Sequence, residues 1–350
     1  MNNIYNNNYY YLNNNNNQNQ NSENFYSNLD ASINNYCFMT KMNVKVLDIY
    51  KNKYLQKIQN MIINHFMDQF DLEFGIYGSY CTDLSIEGSD IDVCIIYKNL
   101  TKKNTFFGDE LFIFLKENEK KTDFSYKTEN ILTARKPRII VEIDISREIA
   151  ENFFKNALDY CDKSDLNTIK IDFTLDEDRQ YLIDNVNSVK YVKSQLNKYP
   201  QMQNIILVMK RYLKIIKKNE LYKGGISSFS LFLMVLNTIK MNQKENYIKD
   251  VKLGGLLIIC FKRLSMFRFN QFGIGKDNFD YALQFNNSNG FPYILNPKNG
   301  ANVFEFGKIT GPGINIIFSY GYKLIISIFN NYNNNIDIIK TLFSQTKMYQ

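Results

Sequence analysis

Residues 77–97 read Tyr-Gly-Ser-Tyr-Cys-Thr-Asp-Leu-Ser-Ile-Glu-Gly-Ser-Asp-Ile-Asp-Val-Cys-Ile-Ile-Tyr, a Gly-Ser turn ten residues ahead of an Asp-Ile-Asp that opens an apolar run. Side chains on an extended strand alternate faces with a period of two. Asp90 and Asp92 therefore point the same way, while Ile91, Val93 and Ile95 point into a core. Two carboxylates about 7 Å apart along a strand repel each other unless a cation lies between them. A strand whose other face is this apolar keeps such a pair for a divalent metal rather than as solvated surface charge. Upstream, Gly78 offers backbone without a side chain and Ser79 a hydroxyl, which suits the close approach of a triphosphate. The stretch reads as a metal-dependent nucleotide site.

Composition narrows the remaining possibilities. At 350 residues the chain has room for two domains and a sizeable core. Its 42 basic and 35 acidic residues leave +7, a mild excess compatible with a polyanionic partner. Five scattered cysteines (Cys37, Cys81, Cys94, Cys161, Cys260) show no paired spacing, which points to reduced thiols in an intracellular protein and away from a zinc module. A single histidine, His65, excludes a multi-histidine metal centre by count. The first residues lack the apolar core of a secretory signal, and the apolar stretches near 226–239 and 314–329 are interrupted by Ser, Asn, Gly or Lys. A soluble protein with no membrane partner is expected.

Along the chain, residues 1–35 are asparagine-rich, with Asn13 to Asn17 uninterrupted, and are expected to form a disordered tail. Apolar spacing from Val44 to Phe66 predicts an N-terminal helix over 36–66, expected to pack on a helical central domain. Strands are expected over 72–77, 90–97, 138–146 and 168–175, with a short helix after the Gly-Ser turn and another over 106–117. From Asn185 onward the pattern becomes mostly helical, with helices over 207–216, 227–239 and 253–264. The class is α+β: a sheet-bearing unit over 67–184, a helical unit over 185–335 and a C-terminal tail over 336–350.

Residues 78–92 come close to the Gly-Ser, Thr-Gly-Leu and Ser-Asp-Ile-Asp pattern of one family. The likeness continues through Tyr199-Pro200, Leu207-Val208-Met209-Lys210 and Gly224-Gly225-Ile226-Ser227-Ser228-Phe229. It reaches Leu253-Gly254-Gly255-Leu256-Leu257, Phe269-Asn270 before Gly273-Ile274, and Asn296-Pro297 through Asn302-Val303, ahead of a helix holding Phe318 and Tyr322. Over about residues 40–330 the chain resembles the DNA polymerase β superfamily of nucleotidyltransferases, in the branch of poly(A) polymerases and terminal uridylyltransferases. Within that branch it most resembles the nuclear RNA-surveillance (TRAMP-type) poly(A) polymerases. An ordered series of motifs is far harder to meet by chance than one motif.

The resemblance implies a small mixed-sheet nucleotidyltransferase domain, a mostly helical poly(A)-polymerase-associated domain and an active site in the cleft between them. It implies template-independent transfer of AMP from ATP, or of UMP from UTP, to an RNA 3′ end. Asp90 and Asp92 would hold two Mg²⁺ (or Mn²⁺) ions, and a third carboxylate would hold only the ion that activates the RNA hydroxyl. Two residues compete for that third place. Asp172 lies in Thr-Ile-Lys-Ile-Asp-Phe-Thr-Leu, opposite a face made by Ile169, Ile171 and Phe173; Asp144 lies in Arg-Ile-Ile-Val-Glu-Ile-Asp-Ile-Ser. Ala134-Arg135-Lys136-Pro137 matches the strand that precedes the third carboxylate in the family, and Asp172 has nearly the family's distance to Tyr199-Pro200. Asp172 is preferred, with an insertion near 147–167, and Asp144 remains its rival.

By the same resemblance, Gly78, Ser79, Lys210, Lys214 and Ser228 would hold the triphosphate. The two lysines lie four apart on one helical face, as compact charges for the β- and γ-phosphates. Phe229 would stack on the base where the family commonly carries tyrosine, and either Asn185 or Asn187 would meet the ribose. The chain departs from the family at Asp83, where glycine is usual, and at Asn296, where aspartate is usual. The histidine that uridylyltransferases often carry near the C-terminal motif is absent, because His65 lies far upstream; this favours ATP. With no aromatic RNP pattern, zinc knuckle or Arg-Gly repeat, a separate RNA-binding or helicase partner is expected, and the resemblance implies nuclear residence.

Overall fold

Eight residues from Phe70 to Tyr77 (β1) and nine from Ile91 to Asn99 (β2) form antiparallel strands, as their alternating, β-branched sequences favour. The computed structural model describes residues 16–100, 106–131, 136–146, 160–244, 251–275, 282–284, 290–305, 307–333 and 336–347. Three further strands complete a mixed sheet: β3 (Tyr126–Ile131), β4 (Arg138–Asp144) and β5 (Thr168–Asp176), in the order β1-β2-β5-β4-β3. β2 and β5 run parallel, and the other neighbours are antiparallel. A parallel pair cannot be closed by a hairpin, so the chain between them crosses over through helix α2 (Phe107–Asn118), β3 and β4.

One face of this sheet carries the core of its unit. Ile91, Val93, Ile95, Ile171 and Phe173 pack there with Leu55, Ile58, Ile62 and Phe66 of helix α1 (Asn16–Phe66) and with Phe107, Leu111 and Leu115 of α2. Tyr77, Cys94 and Ile96 on the opposite face meet Tyr181, Leu182 and Val189 of α4 (Gln180–Lys198). A short helix α3 (Lys163–Asn167) precedes β5, and the rest of the expected insertion, 147–159, lies outside the described residues. The short helix expected after the Gly-Ser turn is one 3₁₀ turn, Ser79–Cys81.

The chain divides into two compact units, residues 38–199 and residues 1–37 with 200–350. A boundary at 184/185 would cut α4, whose Leu182 and Val189 pack on the sheet; the division instead falls beside Pro200. The expectation that helix 36–66 packs on the helical domain is also corrected, since Leu47 to Phe66 join the sheet's core.

The second unit contains α5 (Gln201–Ile215), α6 (Ser228–Lys244), α7 (Leu253–Met266), the two-stranded β6 (Phe272–Ile274) and β7 (Ala282–Gln284), α8 (Gly311–Asn330) and α9 (Ile338–Lys347). The Tyr212 hydroxyl of α5 donates to the Ile317 carbonyl of α8 at 2.6 Å. Gly321 leaves room for the Phe261 ring of α7. By length and composition α8 could cross a membrane, yet its Ile314, Phe318, Gly321 and Ile325 are buried.

Two sequence expectations fail here. Residues 16–35 are helical, not disordered, and Phe25, Leu29, Ile33 and Tyr36 are fully buried in the helical unit. Spacings of four, four and three residues put these side chains on one helical face, a pattern that averaged composition hides. Residues 1–15 lie outside the described residues. The expected C-terminal tail is likewise mostly α9, held by Ile338, Ile339, Leu342 and Phe343. Replacing Leu29 by alanine should cost about 2–4 kcal/mol, because a large side chain leaves a close-packed site. Denaturant unfolding checks this; a change below about 0.5 kcal/mol, the scale of a surface substitution, would mean that the segment is undocked.

Candidate active site

Register brings the acidic residues together. Asp92 of β2 stands opposite Asp172 of the parallel strand β5, and opposite Tyr77 of β1 on its other side. Partners across a ladder share a face, so the two carboxylates project from the same side of the sheet. Asp90 lies just ahead of β2 and is exposed. Asp144 is far from this row: it lies on β4, one strand further from β2 than β5 and opposite Thr168, and its exposed carboxylate accepts from the Ser146 amide at 2.9 Å. Of the two rivals for the third carboxylate, Asp172 is therefore the one beside Asp92.

Gly78 makes the close approach possible. Its φ is +74°, and an added Cβ would run into the Asp92 carboxylate, 2.9 Å from its Cγ and nearer still to its Oδ2. Only glycine combines that backbone with that space. The following loop is fixed at several points. Thr82 Oγ1 donates to the Ser79 carbonyl at 3.1 Å, and the Ile86 amide donates to Ser89 Oγ at 3.0 Å. Asn43 of α1 donates to the buried Glu87 at 2.7 Å, the Tyr80 hydroxyl donates to Asn52 at 2.9 Å, and the Lys51 ammonium lies 5.6 Å from the Tyr80 ring centroid. The middle of α1 thus anchors the loop that carries Ser79 and Asp90. Asp83, the residue in place of the family's glycine, has φ +56°, a conformation that aspartate tolerates better than most.

Cations answer the buried acids. The Arg138 guanidinium of β4 forks onto Asp172, with Nε donating to Oδ1 at 3.0 Å and Nη2 paired with Oδ2. Lys136 pairs with Asp176 at 2.5 Å, and Asp176 also accepts from the Tyr181 and Leu182 amides at the start of α4. The Tyr77 hydroxyl bonds Thr174 at 3.0 Å. Burial, then the neighbouring Tyr181 and Asp92, raises the Tyr77 phenol well above its ordinary range, so it stays neutral. Burial, with Asp176 nearby, pushes the Cys94 thiol up to about 12, and burial does the same for Cys260. Neither thiol can supply a thiolate nucleophile at neutral pH.

In the helical unit Lys210 is buried and Lys214 half-buried, one turn apart on α5. Gly224 (φ +76°) and Gly225 close the turn toward α6; a Cβ on Gly225 would lie 2.5 Å from the Lys218 backbone. Ser228 opens α6, but Ser227 caps it, its Oγ accepting from the Ser230 amide at 3.1 Å. Phe229 is half-buried and lies parallel to Phe232, with ring centroids 6.2 Å apart. Asn185 and Asn187 are half-buried on α4, where Asn185 Nδ2 donates to the Tyr181 carbonyl at 2.8 Å. Asn296 shapes its own turn, its Oδ1 accepting from the Lys298 amide at 3.0 Å. His65 stacks on Phe114 at 4.1 Å.

Sequence reasoning missed Arg138, Lys136, Asp176 and Glu87. Arg138 was detectable as the charged head of a strand that continues Ile-Ile-Val; Glu87 had no signal before its partner Asn43 was known. The donor set of Asp90, Asp92 and Asp172 is all carboxylate oxygen, as Mg²⁺ or Mn²⁺ prefers. Gly78 leaves the Asp92 carboxylate room that any Cβ would take. Among the described residues, however, no three His, Cys, Asp or Glu side chains lie close enough together to hold a metal ion. The strands align Asp92 with Asp172, and both Asp172 carboxylate oxygens are engaged by Arg138.

Residues 61–160 match the family model described as a nucleotidyltransferase domain. Poly(A) RNA polymerase protein 2 of Saccharomyces cerevisiae is 25% identical over 232 residues, covering 65% of this chain and 33% of that protein. The chain spans about a third of the length of the curated relatives it matches. The polymerase core of TRAMP, an RNA surveillance complex, superposes with a TM-score of 0.60 at 20% identity, over 86% of this chain and 88% of that one. The Cid1 poly(U) polymerase, bound to Mg and 3′-dATP, superposes with a TM-score of 0.56 at 16% identity, over 87% and 98%. The fold is the polymerase β-like nucleotidyltransferase fold shared by these two enzymes.

Proposed function

We propose that this chain, built on a nucleotidyltransferase domain of the polymerase β-like fold, is a template-independent RNA 3′-nucleotidyltransferase that adds AMP from ATP. The observation that carries the reading is the row of Asp92 and Asp172 on adjacent parallel strands, with Gly78 cleared of side chain against Asp92. Similarity to poly(A) RNA polymerases supports RNA as acceptor and ATP as donor.

In this reading Asp90, Asp92 and Asp172 would hold divalent ions, Mg²⁺ or Mn²⁺. When bound, these ions would activate the RNA 3′-hydroxyl and shield the departing pyrophosphate. The chain's own residues position the reactants. Gly78 and Ser79 admit the triphosphate, Lys210 and Lys214 neutralise its β- and γ-phosphates, Ser228 bonds a phosphate and Phe229 stacks on the base. Catalysis is then positioning plus charge neutralisation, with no covalent intermediate on the protein. The reading extends to RNA processing or surveillance in the nucleus, with a separate RNA-binding or helicase subunit. Weak, salt-sensitive RNA binding by the isolated chain is the expected companion property, and tight autonomous binding would count against the partner.

Extension of a labelled oligoribonucleotide with each ribonucleoside triphosphate in turn, in Mg²⁺ or Mn²⁺, tests the reading. ATP should extend the primer best; preference for UTP would make the chain a terminal uridylyltransferase. The second reading, a catalytically silent RNA-binding relative, draws on the Arg138 hold on Asp172. No extension with any nucleotide in either metal, by a chain that still binds RNA, would favour that reading instead.

A further inference from the structure

We propose that Arg138 guards Asp172: its guanidinium holds the carboxylate in the resting protein and has to leave before a divalent ion can bind there. The inference rests on the nucleotidyltransferase reading of the same site. Three observations carry it. The contact is a two-point fork, Nε to Oδ1 at 3.0 Å and Nη2 to Oδ2, so both oxygens that the carboxylate could offer an ion are engaged. The pair is also asymmetric, with the Asp172 side chain 4% exposed and the Arg138 side chain 32% exposed. The acid is thus fixed inside while the cation has a path to solvent along its flexible stem. Finally, the neighbouring lysine, Lys136, is occupied by Asp176.

Charge balance explains why the guard would move. A carboxylate buried to this degree needs a counter-charge, and Arg138 supplies one when no ion is bound. A divalent ion held by Asp92 and Asp172 would supply more charge to the same carboxylate and would repel the guanidinium. Ion and guanidinium therefore compete for one ligand. The expected consequence is a divalent-ion affinity that the protein holds below what its three carboxylates alone would give. Arg138 acts through Asp172 and is a positioning residue.

Mn²⁺ binding to the nucleotide-free 350-residue chain, followed by the electron paramagnetic resonance of free Mn²⁺, tests the guard. Arg138→Met should tighten Mn²⁺ binding by roughly 10- to 100-fold, the range for losing a charge-assisted hydrogen-bonded competitor. Arg138→Lys, which keeps the charge but loses the fork, should tighten it by a smaller factor. Asp172→Asn should erase the difference between arginine and methionine at position 138. A merely structural arginine would lower the melting temperature and leave the affinity where it was. Equal or weaker Mn²⁺ binding by folded Arg138→Met overturns the guard; if that variant does not fold, unchanged binding by Arg138→Lys overturns it. Primer extension separates the two claims. Tightened Mn²⁺ binding without RNA extension by the wild type leaves the guard standing and removes the polymerase reading. Extension with unchanged Mn²⁺ affinity does the reverse.

Discussion

Asp92→Ala should leave a folded chain that no longer adds nucleotides. Asp92 lies beside Asp172 across the β2–β5 ladder and against the cleared backbone of Gly78. With Asp90, it is an acid common to both ions of the proposed site. Loss of a group on which charge neutralisation depends should lower the extension rate by roughly 10³-fold or more. Stability should change little, within about 1 kcal/mol, because Asp92 is only half-buried and its charge is repelled by a neighbouring acid. Primer extension and a thermal melt on the same sample decide the matter, and retained extension would refute the assignment.

Gly78→Ala should come second in effect, and by a different mechanism. A residue with a Cβ is strained at φ +74°, which costs about 1–3 kcal/mol, and here the new methyl also collides with the Asp92 carboxylate. The carboxylate must shift by a sizeable fraction of an ångström, and displacement of about 1 Å can cost roughly 10²-fold in rate. Gly224→Ala controls for a positive φ alone: its φ is +76° with ψ +37°, a left-handed conformation milder than the ψ of −155° at Gly78, and an added Cβ meets nothing within 4 Å. It should lose about 1 kcal/mol and keep its activity. Equal activity loss in both variants would mean that backbone strain, not the approach to Asp92, is what Gly78 relieves.

Much of the fold was legible in local pattern. The strands expected over 72–77, 138–146 and 168–175 lie within two residues of β1, β4 and β5, and the helix expected over 106–117 is α2 shifted by one residue. These elements are short and strongly apolar on one face, so periodicity alone marks them. The misses have a common cause. The first half of α1 is rich in asparagine, but Phe25, Leu29, Ile33 and Tyr36 give it a buried face. β3 offers only Tyr126, Thr128 and Ile131 as strand formers and takes its order from pairing with β4. The expected domain boundary failed because α4 is polar enough to read as surface and yet covers the second face of the sheet.

Contiguous residues determined by themselves that Ile91, Val93 and Ile95 turn inward while Asp92 takes the other face, and that a glycine stands before the strand, because torsion and pleat are local properties. Only the tertiary structure decided that Asp172, eighty residues from Asp92 in the chain, is its neighbour while Asp144 is not. It alone also revealed that Arg138 holds Asp172. Strand order and register are set by how distant segments bury their apolar faces together, and no window of sequence contains that packing.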